Sequence, residues 1–241
     1  MEKCKDWIYS KGRDLEITMF NALFYNDKED LLTSLTLYLS EDGGFGNQLV
    51  YNKLGSTVYE SYYALKILID FNYDLPDDDN IIEDAYNYLF NNNFESTPYY
   101  AGLVGMGLKL LNKDSDNYKK CKNLENEVIK NYSYKDYDTL KSYITYAKAT
   151  LNKEIIDKLK NDLVIAIDTL NINPLELIDS PLLVSDKIKD KVDKAIKELK
   201  KKRLESGAWL YEDIDDIETI KKSGTYTIYN MLILKNFNKL D

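Results

Sequence analysis

The 241-residue chain predicts an all-α protein built from helical hairpins, and three observations carry that prediction. Apolar residues recur at three-to-four spacing almost throughout. Strand-like alternation is nowhere sustained over the length of a normal strand. A block made of a glycine/aromatic turn and the helix after it occurs twice, with weaker echoes between.

Taken in order, Leu31, Leu32, Leu35, Leu37 and Leu39 lead into the turn Asp42-Gly43-Gly44-Phe45-Gly46. Val58, Tyr59, Tyr62, Leu65, Ile67, Leu68 and Phe71 then resume the helical period. Thr57-x-x-Glu60 has the spacing of a capping box, in which each side chain satisfies the other residue's free N–H. Leu75-Pro76-Asp77-Asp78-Asp79 separates two helical stretches, its acids suited to the positive end of the next helix. Further helices are expected to begin near Asn80, Thr97, Asp116, Asp136, Lys153, Asp186 and Ser223. Pro98, after Ser96-Thr97, suits a first helical position.

The repeat aligns Gly44-Phe45, Ser56-Thr57-Val58-Tyr59 and Tyr62 with Ala208-Trp209, Ser223-Gly224-Thr225-Tyr226 and Tyr229. Asn93-Phe94 and Tyr132-Ser133-Tyr134 open the weaker copies. Aromatic anchors at 45, 94 and 134 stand roughly 40–50 residues apart, the length of a helical-hairpin repeat. Each unit is expected to run outer helix, turn, inner helix, and to bury its apolar face by stacking on its neighbours. About five such units are expected, fewer than the six of a complete α/α barrel, so the ring is smaller or open on one side. The inner-helix N-termini would gather at one end, where free N–H groups favour a polar or anionic ligand group.

The turn Glu41-Asp42-Gly43-Gly44-Phe45-Gly46-Asn47 resembles the Asp-Gly-Gly-Phe-Gly turns of protein prenyltransferase β-subunits and squalene-hopene-type cyclases. More closely, the chain resembles a bacterial family of unassigned function with that repeat type. The segments carrying this are Trp7 to Phe24, Pro174 to Leu182 and Gly207 to Phe237. The resemblance implies one α/α-toroid-like domain over 1–241 and brings no activity. Relatives place an acidic Leu-Glu-Pro-Asp after the glycine turn, where this chain has Leu49-Val50-Tyr51-Asn52. The prenyltransferase zinc site needs a histidine, and there is none.

Composition narrows the chemistry. The formal charge of −9, spread over an acidic surface, disfavours nucleic acid and anionic membranes as partners. Without histidine, the serine and cysteine triads and His-ligated zinc or haem are excluded. Cys4 and Cys121 follow no metal spacing and read as a reduced pair. The first residues lack the apolar core of a signal peptide, and the longest apolar runs are too short to span a membrane. A cytoplasmic protein with no metal and no cofactor is the expectation.

Carboxylates are the main acid–base groups left. Asp213-Ile214-Asp215-Asp216 matches the Asp-x-Asp-Asp pattern of class II terpene cyclases, whose chemistry needs a carboxylic acid held neutral by burial and neighbouring charge. The same four residues also read as a solvated acidic loop. Asp42 reads first as a turn residue, since Asp before two glycines suits a tight turn with positive φ. It reads second as a pocket acid. Phe45, Tyr51, Tyr59, Glu60, Trp209, Tyr211 and Tyr226 flank the two strongest turns as pocket-wall candidates, with ordinary packing as the alternative. Two function classes follow. One is a small-molecule pocket, possessing or lacking carboxylate catalysis on an isoprenoid or glycan-like ligand. The other is a non-catalytic helical-repeat module that binds a peptide or protein partner.

Overall fold

The computed structural model describes residues 1–50, 54–133, 136–211 and 217–240, with the backbone alone over 217–221. Among these residues the chain is all-helical. Its α-helices are α1 (Glu2–Lys11), α2 (Asp14–Tyr25), α3 (Glu29–Thr36), α4 (Val58–Asp70), α5 (Ile81–Asn91), α6 (Tyr100–Leu110), α7 (Asp116–Lys130), α8 (Tyr137–Thr150), α9 (Lys153–Leu170), α10 (Lys189–Lys201) and α11 (Ile217–Asn236). Short 3-10 turns lie at Phe94–Ser96, Pro174–Glu176 and Pro181–Leu183. No described helix is long and apolar enough to cross a membrane.

The chain divides into two compact units, Leu35–Leu159 and the pair of segments Met1–Ser34 and Lys160–Asp241. Within Leu35–Leu159, α4, α6 and α8 pack side by side and run in the same direction. A Cβ at Gly102 of α6 would stand 2.8 Å from the Tyr62 ring on α4 and 3.0 Å from the Ser142 carbonyl on α8. One turn later, a Cβ at Gly105 would stand 2.8 Å from Tyr146 Cα. The missing side chains therefore let the backbones of α6 and α8 approach closely. Tyr62 and Thr145 share a 2.8 Å hydrogen bond, and further along the same two helices Lys148 pairs with Asp70.

α7 runs back along α6. Gly107 lies against Cys121 near the beginning of α7, whereas Tyr143 of α8 donates to the carbonyls of Val128 and Asn131 at its end. In chain order α5 precedes α6, and α7 precedes α8. The anchors Phe45 and Phe94 are both buried, and residue 134 lies outside the described residues.

In the other unit, Cys4, Ile8, Leu15, Met19 and Phe20 from α1 and α2 join Ile178, Leu183, Val192, Ile196, Trp209, Ile228 and Met231 in the buried core. The Lys235 ammonium of α11 reaches the Leu23 carbonyl at the end of α2.

Several helix ends differ from the expectation. α6 begins at Tyr100, because Phe94–Ser96 forms a 3-10 turn and the Thr97 hydroxyl folds back onto the Phe94 carbonyl at 2.7 Å. Pro98 thus lies in the turn before the helix. α11 begins at Ile217, so Ser223 is inside the helix. Asp77 does serve the next helix, accepting from the N–H groups of Ile81 at 3.0 Å and Ile82 at 2.7 Å.

Candidate functional site

The Asp42 turn closes through its own polar groups. The Ser40 N–H donates to the Gly44 carbonyl at 2.9 Å, and Gly43 N–H donates back to Ser40 at 3.0 Å. Gly43 sits at φ +84°, and a Cβ there would stand 2.9 Å from the Asp84 carbonyl of α5. Both the conformation and the space require glycine. Asp42 is exposed, and both its oxygens are engaged. Oδ1 accepts from the Gly44 N–H at 3.0 Å, and Oδ2 accepts from the Ser56 hydroxyl at 2.5 Å. The carboxylate braces the turn against the residues that lead into α4.

Phe45 points inward and is fully buried, and its N–H donates to the Ser61 hydroxyl of α4 at 2.9 Å. Glu60 is also buried. Thr57 accepts from the Glu60 N–H at 3.0 Å, as the capping spacing predicts. The reciprocal half is redirected: the Thr57 N–H donates to the Phe45 carbonyl at 3.1 Å, and the Glu60 carboxylate accepts from the Val50 N–H at 3.2 Å. Tyr59 stands beside Tyr99, ring centres 5.3 Å apart, and Tyr99 stacks on Tyr62 at 5.0 Å. Tyrosine rings thus gather where α4 and α6 begin.

The second turn repeats two main-chain hydrogen bonds of the first. The Leu204 N–H donates to the Ala208 carbonyl at 2.9 Å, and Gly207 N–H donates to Leu204 at 2.9 Å. Gly207 takes φ +87°, with Cys4 occupying the space a Cβ would need. Ser206 stands where the first turn has Asp42, its hydroxyl accepting from the Ala208 N–H at 3.5 Å. Trp209 is buried, its N–H donating to Thr227 Oγ1 at 3.0 Å and its indole N–H to the Leu199 carbonyl at 2.8 Å. The Tyr211 N–H donates to the Ser223 hydroxyl at 3.0 Å.

These bonds correct the repeat register within the helix by one residue. Ser61 corresponds to Thr227, because each hydroxyl receives the N–H of the buried aromatic in its turn, and the same offset sets Thr57 opposite Ser223. Tyr211 and Tyr226 meet edge to face at 6.0 Å and are both exposed. Tyr51, Asp213, Asp215 and Asp216 lie outside the described residues. Among the described residues no cluster of three or more His, Cys, Asp or Glu could hold a metal ion.

Three polar arrangements escaped the sequence reading. Asp70, buried at the end of α4, pairs with both Lys66 and Lys148. Burial by itself would raise its carboxyl, but the ammoniums of Lys148 and Lys66 outweigh that and hold it at about 2. Glu16 is buried on α2, bound by the Arg13 guanidinium at 2.5 Å and the Thr225 hydroxyl at 2.7 Å. Gly224 leaves room for it, since a Cβ there would stand 3.2 Å from Glu16 Cγ. The spacings Lys66-x-x-x-Asp70 and Arg13-x-x-Glu16 were visible signals for the local halves of these pairs.

The third is an open groove of about 630 Å3 where α5 and α7 begin, lined largely by amides and carboxylates. Asn117 is buried in its wall, its amide donating to Glu83 Oε1 at 2.7 Å and Asn87 Oδ1 at 2.8 Å, and its oxygen accepting from Lys120 at 3.3 Å. Asn80, Asn112, Asp114, Ser115 and Asp116 complete the polar lining, which includes none of the catalytic or ligand-binding candidates read from sequence. Their contributions come from two separated stretches, and no single motif carries them. No family model matches the chain, and no curated protein or solved structure matches it either.

Proposed function

We propose that this chain is a non-catalytic helical-repeat module, related in plan to the α/α toroids, whose α5–α7 groove receives an extended segment of a partner protein. The observation that carries this reading is the groove itself: open, and lined by side-chain amides that match the donors and acceptors of a peptide backbone. Glu83, Asp114 and Asp116 outnumber Lys120 there, so a segment carrying lysine or arginine fits best. Lys120 lies 4.7 Å from the centre of the Phe90 ring, which leaves the acids to meet the partner's cations. The parallel run of α4, α6 and α8 supports the toroid-type plan.

Asp42 and Glu60 weigh on the same side. Both carboxylates are held by hydrogen bonds from their own loops, as parts of a frame are. A second reading, a small apolar or glycan-like ligand, draws support from the Tyr59, Tyr99 and Tyr62 rings beside Glu60. Carboxylate catalysis by Asp42 or by Asp213, Asp215 and Asp216 belongs with that reading.

Fluorescence anisotropy separates the two. A labelled extended nonapeptide with three lysines is expected to bind, and to bind more weakly as salt rises. Glu83→Gln and Asp116→Asn are each expected to weaken it about fivefold, the size of one partly screened charge pair. Unchanged affinity in both variants, or binding of a short oligosaccharide in place of the peptide, overturns the groove reading.

A further inference from the structure

We draw no further inference here: the strongest candidate, the exposed aromatic patch of Leu210, Tyr211 and Tyr226 with the Lys222 ammonium over the Tyr211 ring beside the Gly207 turn, is an unpartnered apolar face that nothing in the structure shows to be covered.

Discussion

The Asp42 and Gly207 turns have one backbone and two sets of braces. Each places a glycine at φ near +85°, closes the same pair of main-chain hydrogen bonds, and hands the N–H of a buried aromatic to a helix hydroxyl. Around that shared frame the chemistry differs. The first turn uses a carboxylate, with Asp42 tied to Gly44 and Ser56. The second uses a serine at the same place, and adds a guanidinium: Arg203 Nε donates to the Gly207 carbonyl at 3.0 Å, and the guanidinium lies 5.3 Å from the centre of the Trp209 ring. A serine stands in the second turn where the first has Asp42, so the turn backbone itself does not require a carboxylate. What both turns keep is the buried aromatic and its hydroxyl acceptor, so the fold depends on those.

The largest effect expected from breaking this parallel is removal of the aromatic plugs. Phe45→Ala and Trp209→Ala should each cost about 3–5 kcal/mol by urea unfolding, the range for large buried aromatics. Trp209 should be the costlier of the two, because its indole also satisfies the Leu199 carbonyl. Equal losses at both positions would show that the indole bond adds nothing.

Next come the hydroxyls. Ser61→Ala and Thr227→Val each leave a buried backbone N–H without its acceptor, and each should cost about 1–3 kcal/mol. Thr227 also donates to the Trp209 carbonyl at 3.0 Å, which places its loss at the upper end. Amide exchange gives the sharper measurement: the N–H of residue 45 or 209 should lose protection specifically in its own variant. Protection that stays unchanged would separate the two turns from their proposed acceptors.

The Gly207 turn should also respond to alkali through Cys4. Burial raises that thiol to about 11, and the Arg203 guanidinium offsets only part of the rise. A folded-state value above the ordinary thiol value contributes stability that is whole below about 9 and is lost as pH climbs through about 11. Unfolding midpoints measured across that window should therefore fall less steeply in Cys4→Ala than in the parent chain. Parallel slopes would show that the thiol is not linked to folding.

Legibility followed sequence distance. The helical period over Val58–Asp70, the Thr57 cap and the Asp42 turn are local patterns, and the sequence reading located each of them. Helix stops carry little glycine signal, because this chain closes helices with asparagine: Asn26, Asn72, Asn93, Asn171 and Asn238 all take positive φ where glycine is usual. Ser223-Gly224-Thr225 imitated a helix start, yet Ser223 faces the Tyr211 N–H and Gly224 makes room for Glu16, both partners distant along the chain. The groove was invisible for the same reason. Asn117 meets Glu83 and Asn87 only after a whole hairpin has folded between them.

The smallest expected effect is the most pointed. If Asp42 is a brace, Asp42→Ser recreates the Ser206 arrangement, keeps an acceptor for the Gly44 N–H and should cost about 0.5 kcal/mol in all, through the lost bond to Ser56. Asp42→Ala removes both bonds from an exposed turn and should cost about 1 kcal/mol, in line with loss of a capping side chain. Arg203→Ala should cost a similar amount in the second turn, through the Gly207 carbonyl and the Trp209 ring face. The comparison then makes a directional demand. Asp42→Ser must lie nearer to the parent than Asp42→Ala, and peptide binding at the α5–α7 groove must be unaltered in both. A serine variant as damaged as the alanine one would mean that the turn needs the charge itself, and Asp42 would return to candidacy as a functional acid.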